Sequence, residues 1–165
     1  MVSRGKVVIS AAFAVLFAMF IGFYYYASLD NPQLEMAQLE LVDIKVLETN
    51  SIDKRATLEI TFLVTNPSEK TFTISNINYE LFVNNKDVGN GEYSTEDIAM
   101  PGRAAIYAGK SVELSSKFNL VYTDQIDNEY SIITNGEQAS FRAKGIASIE
   151  SAWSIVEKPF EVTLG

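Results

Sequence analysis

A stretch of 21 residues without a single charge, residues 7–27 (VVISAAFAVLFAMFIGFYYYA), constrains this chain more than any other feature. As an α-helix at ~1.5 Å per residue it would be about 31 Å long, matching a bilayer hydrocarbon core of ~30 Å. Small residues (Ser10, Ala11, Ala12, Ala14, Ala18) are interspersed with large ones, and Tyr24, Tyr25 and Tyr26 fall where an interfacial aromatic belt belongs. Nothing else in the chain can cover such a helix on all sides, which argues against a buried core helix. Membrane lipid is therefore the expected partner of residues 7–27. Arg4 and Lys6 precede the run, and Asp30 and Glu35 follow it. The positive-inside rule then expects residues 1–6 in the cytoplasm and the C-terminal part outside, in a single-pass protein of the cell membrane.

A cleaved signal peptide is the main rival. Cleavage after Ala27 would leave Tyr25 where a small residue is required, and the apolar run is long for a signal. There is no lipobox cysteine. Arg4-Gly5 also offers a prepilin-type processing site ahead of the same helix. The reading adopted is a retained anchor.

The chain has no cysteine and no histidine. Disulfides, thiolate chemistry, Cys/His zinc sites, Ser–His–Asp triads and haem held by His or Cys are excluded. Arg4 and Lys6 are the only charged side chains before Asp30, leaving 11 basic and 21 acidic residues beyond them, a formal net of −10. That balance argues against nucleic acid, whose phosphates require clustered Lys and Arg. It keeps the remainder of the chain soluble.

After the apolar run the hydrophobic period becomes two, the signature of strands. Leu39 and Leu41, then Val42, Ile44 and Val46, predict a long strand with a bulge where the phase slips. In residues 56–65, Leu58, Ile60, Phe62 and Val64 share one face, and Asn66-Pro67-Ser68 ends the strand. Residues 71–84 change phase between Ile74 and Ile77, predicting a second bulge near Ser75-Asn76. A turn over residues 84–87 returns the chain as residues 88–93. Val112, Leu114, Phe118, Leu120 and Tyr122 mark another strand. Thr123 or Asp124 is expected to cap a short helix reaching Thr134 and closed by Gly136. Residues 141–149 and 160–164 supply the last strands, with Trp153 between them. Seven or so strands without βαβ alternation predict an all-β fold, a two-sheet antiparallel sandwich over residues 39–165. Residues 28–38 read as a short acidic stalk.

Residues 58–93 read LEITFLVTNPSEKTFTISNINYELFVNNKDVGNGEY. An alternating strand ending in Asn66-Pro67 is followed by Tyr79-x-Leu81 and then by Asn84-x-x-x-x-Gly89-x-Gly91. Downstream come Ile98-Ala99-Met100-Pro101-Gly102, then Ser111-Val112-Glu113-Leu114, and Lys144-Gly145 within a penultimate strand. This ordered series resembles the late embryogenesis abundant type 2 family, also called the water stress and hypersensitive response (WHy) domain, in its membrane-anchored form. The resemblance implies an immunoglobulin- or fibronectin-III-like sandwich and a non-enzymatic role in protection against desiccation or osmotic stress. The chain departs from the pattern in its charged Ser-Glu-Lys after Asn66-Pro67 and in residues 102–110, which lengthen the middle loop. Both departures lie in loops. The family brings no agreed catalytic residues.

The motif residues Asn66, Pro67, Tyr79, Leu81, Gly89, Gly91 and Gly145 are expected to be structural. Asn-Pro is strand-end turn chemistry, and Gly89 and Gly91 are not followed by a helix, so they do not cradle phosphate. Glu96-Asp97 and Asp124 with Asp127 are the nearest approaches to carboxylate clusters, without the spacing of a calcium loop. Neither metal nor cofactor is expected. Phe62, Phe72, Tyr79, Phe118, Tyr122, Phe141 and Phe160 read as core; Tyr93 and Tyr107 are the best candidates for an outward binding platform, with core or half-buried loop packing the favoured reading for both. The function expected is a membrane-anchored stress-protective or scaffolding domain rather than an enzyme. The alternative is a cell-envelope or pilus-like assembly component that binds a protein through its sandwich, for instance by strand addition at an edge.

Overall fold

The computed structural model describes residues 4–95 and 105–164. α1 (Arg4–Ser28) carries exposed Val, Ile, Phe and Leu around its whole circumference, and none of its apolar stretch is buried against the rest of the chain. A helix hydrophobic on every side needs a cover, and the described residues do not supply one. Among the described residues it is the one helix long and apolar enough to cross a membrane.

After a turn at Leu29-Asp30 the chain forms α2 (Asn31–Leu34), whose Pro32 sits in the first turn, where a missing N–H costs nothing. Residues 28–38 are therefore not a free stalk. Leu34 and Ala37 are fully buried in the core, and Lys158 Nζ donates to the carbonyl oxygens of Glu35 (2.6 Å) and Ala37 (2.5 Å). Asp30 pairs with Lys70 at 3.3 Å.

Seven antiparallel strands follow among the described residues: β1 (Gln38–Asn50), β2 (Arg55–Thr65), β3 (Thr73–Val83), β4 (Lys86–Ser94), β5 (Ser111–Val121), β6 (Phe141–Glu150) and β7 (Ile155–Leu164). They form a three-stranded sheet, β1-β2-β5, facing a four-stranded sheet, β4-β3-β6-β7. The fold is an all-β sandwich preceded by one apolar helix. β4 lies beside β5 and β1 beside β7, so the edges of the two layers adjoin. The central β2 explains the core: Leu58, Ile60, Phe62 and Val64 all point inward and are fully buried, as the strict alternation requires.

The two expected bulges are present. β1 slips against β2 between Leu41 and Asp43, and β3 slips against β6 between Ile74 and Asn76. Two further slips occur, at Val46/Glu48 in β1 and where β4 passes Leu81/Phe82. The turn expected over residues 84–87 is tighter. Asn84 and Asn85 take positive φ (49° and 69°), forming a two-residue hairpin loop, and Lys86 and Asp87 already pair with β3. The expected helix begins as a 3-10 turn (Asp124–Ile126) and continues as α3 (Asp127–Asn135). Thr123 stands at its start without a side-chain cap, and Ile126 occupies the N-cap of α3. Gly136 closes α3 as expected, with φ 69° and a Glu137 N–H to Ile132 carbonyl bond of 3.0 Å.

Candidate functional site

Tyr79 lies in the middle of β3, opposite Gly91 on β4 and Gly145 on β6, and Gly145 lies opposite Phe160 on β7. These residues, far apart in the chain, form one inward-facing rung. A Cβ at Gly91 would fall 2.3 Å from Tyr79 Cζ, so the phenol ring lies across the space the glycine leaves. At Gly145 a Cβ would fall 1.9 Å from the Asn78 carbonyl oxygen, so β6 can approach β3 this closely only without a side chain. The Tyr79 ring meets Phe62 edge-on at 5.1 Å and stacks near Phe118 at 6.4 Å, and Phe62 meets Phe160 at 5.8 Å. The next rung repeats the scheme: fully buried Leu81 lies between Gly89 and Ala143, with the Phe118 ring over Gly89, whose φ is 131°.

The hydroxyls of Tyr79 and Ser116 lie 2.8 Å apart and tie one sheet to the other inside the core. Burial raises the Tyr79 phenol above its ordinary value, and the Ser116 hydrogen bond opposes that shift. Replacing Tyr79 by Phe leaves the Ser116 hydroxyl buried without this partner, which is expected to cost about 1–2 kcal/mol. The double variant Tyr79→Phe, Ser116→Ala should recover part of that loss, as read by denaturant unfolding of the detergent-solubilised chain.

Asn66 and Pro67 lie away from this rung, at the end of β2. Asn66 is fully buried and fully used. Its Nδ2 donates to the carbonyls of Lys70 (2.7 Å) and Ile106 (2.8 Å), and its Oδ1 accepts from the Ser68 N–H (3.0 Å) and hydroxyl (2.7 Å). It thereby ties the turn after β2 to the segment leading into β5. Lys6 is exposed on the first turn of α1; the Arg4 side chain, Glu96-Asp97 and residues 98–102 lie outside the described residues.

On the outer surface of the four-stranded sheet, over the Tyr79–Gly145 rung, lies an open hollow of about 870 Å³. Glu80, Lys144 and Glu161 cross it as neighbours on adjacent strands, with Asn78, Asn90 and Glu157 around them. Glu161 pairs with Arg142, whose guanidinium lies 2.6 Å from it and stacks 4.3 Å over the Phe82 ring. The buried polar residues among those described (Thr61, Asn66, Ser68, Thr95, Ser116) are all neutral. Asp124 and Asp127 gather around Tyr122. The Asp127 hydrogen bond, then desolvation and the two negative charges, raises the Tyr122 phenol. Lys54 lies 4.1 Å over the same ring. Among the described residues no three of Asp and Glu come together to hold a metal ion.

Of the two tyrosines weighed as platform candidates against packing, Tyr93 is buried in the core, in line with the packing reading, whereas Tyr107 is 64% exposed. The Tyr79–Ser116 tie was not anticipated. Its one visible signal is a polar residue at an inward position of β5, between Leu114 and Phe118.

No protein-family model matches the chain, and no curated protein matches it. Solved structures do. A protein of Arabidopsis thaliana determined in solution superposes with a TM-score of 0.54 at 12% identity, over 76% of this chain and 78% of its own. A crystal structure of an Archaeoglobus fulgidus protein gives 0.44 at 16% identity, over 76% and 94%. A provisionally designated late embryogenesis abundant protein, also determined in solution, gives 0.44 at 11% identity, over 98% and 90%. The likeness to the Arabidopsis protein is one of fold, and it extends across most of both chains.

Proposed function

We propose that this chain is a membrane-anchored, non-enzymatic protein of the late embryogenesis abundant type 2 kind. In this reading it gives protection, or acts as a scaffold, under desiccation and osmotic stress. α1 holds it in the cell membrane, with Arg4 and Lys6 on the cytoplasmic side and the sandwich outside. One observation carries the reading: the residues in which the chain resembles that family work together in its fold. Tyr79, Gly91 and Gly145 make one rung, Leu81 and Gly89 the next, and Asn66 ties the loops at the end of β2. The strongly acidic surface adds support, because like-charged, well-hydrated copies resist association as water is withdrawn.

A strain lacking the gene is expected to survive drying or osmotic shock less well than its parent, and the full-length chain should restore survival. Equal survival of deletion and parent across both stresses removes the protective role.

A further inference from the structure

Trp153 is the only tryptophan in the chain, and it stands at the tip of the β6–β7 turn, 68% exposed. Ile155 beside it is 65% exposed. Residues 151–156 (SAWSIV) carry no charge, although Glu150 and Glu157 bracket them. A large aromatic and a β-branched residue at the tip of an uncharged turn, on an otherwise acidic domain, are placed for an apolar partner.

The turn lies against the exit of α1. Tyr24, Ala27 and Asn31 line one side of a hollow of about 610 Å³, and Trp153 and Ile155 line the other. Side chains also fasten the turn there. The Ser151 hydroxyl donates to Asp30 Oδ2 (3.2 Å), and the Ser154 hydroxyl donates to Asn31 Oδ1. Inside the turn the Ser151 N–H bonds the Ser154 carbonyl at 2.8 Å, and the Trp153 N–H bonds the Ser151 hydroxyl at 3.3 Å.

We infer that the β6–β7 turn docks into the headgroup–hydrocarbon boundary of the bilayer, with Trp153 and Ile155 continuing the aromatic belt begun by Tyr24, Tyr25 and Tyr26. This rests on the reading that α1 is a membrane anchor. Continuity decides the occupant: the exposed apolar tip adjoins the end of an uncovered apolar helix, at the level where Trp and Tyr partition into the interface. The chain then has two contacts with the membrane, the spanning α1 and the shallow β6–β7 turn.

The single tryptophan makes the test direct. The full-length chain is reconstituted into phosphatidylcholine vesicles, some carrying lipids brominated near the headgroup and others lipids brominated near the chain end. Trp153 emission is expected to be blue-shifted from that of tryptophan in water, and quenched more by the shallow bromines than by the deep ones. Replacing Ser151 and Ser154 together by Ala should weaken that quenching while the chain still floats with the vesicles. A chain that floats but whose emission is water-like and indifferent to both lipids overturns the docking and leaves the anchor standing. A chain that does not float with vesicles overturns both.

Discussion

Replacing Gly145 by alanine is expected to destabilise the sandwich by at least about 3 kcal/mol, the upper end of what overpacking a core ordinarily costs. The added methyl would sit 1.9 Å from the Asn78 carbonyl oxygen and 2.8 Å from the Tyr79 Cα. Both are backbone atoms of β3, so no side chain can swing aside to make room. β6 must separate from β3 at this rung, and β7, which among the described strands pairs with β6 alone, is carried with it. At about 2–4 °C per kcal/mol for a chain of this size, the melting midpoint should fall by about 10 °C. Near-ultraviolet circular dichroism of the detergent-solubilised chain would record it. Gly91→Ala strikes the end of the Tyr79 ring instead, and should cost less because the ring can shift at the expense of its Ser116 bond. Gly22→Ala, where a methyl meets nothing within 4 Å, is the control. Equal midpoints for Gly145→Ala and Gly22→Ala would contradict the close approach of the two strands.

The second large effect is expected at Asn66. Asn66→Asp keeps an acceptor for the Ser68 N–H and hydroxyl but replaces the two-hydrogen donor that serves Lys70 and Ile106. A carboxylate there would point at two carbonyl oxygens in a site closed to water, which is expected to cost about 3–5 kcal/mol at neutral pH. Protonation relieves part of this, because an acid O–H can serve one of the two carbonyls. The introduced carboxyl is therefore held neutral in the folded chain at pH values where the unfolded chain has ionised, above about 4. The penalty grows as pH rises through that value and shrinks below it. Asn66→Ala should be destabilising too, without any such pH dependence of its own. Unfolding free energies measured from pH 4 to 7 for the two variants separate these outcomes. Parallel curves would show that Asn66 is not the buried knot described.

What could be read from the letters was whatever leaves a period in them. The uncharged run gives α1, and the alternation Leu58-Ile60-Phe62-Val64 gives the central strand. The bulges after Leu41 and Ile74 are written as slips of phase. β4 illustrates the limit. Its two inward markers, Val88 and Tyr93, are an odd number of residues apart because the chain bulges there, and with glycines between them no phase can be counted. An outward Tyr93 consequently stood beside the packing reading as an alternative, and the structure buries it. Residues 28–38 hide their packing for a related reason: α2 is one turn long, so Leu34 and Ala37 form no repeat. The Gly91–Tyr79–Gly145 rung is a matter of register between distant strands. Each residue was recognisable as part of a motif, and nothing in the spacing said that the three would meet.

The burial of Leu34 and Ala37 directly after α2 has a mechanical consequence. A tether of loose chain would let the sandwich swivel and nod about the end of the helix; here only Leu29 and Asp30 separate α1 from a segment locked into the core, and Asp30 is itself held by Lys70 and Ser151. The compass bearing of the domain is thus set by the azimuth of the rod beneath it. Copies that met flank to flank along their rods would present the same side of the sandwich to one another each time.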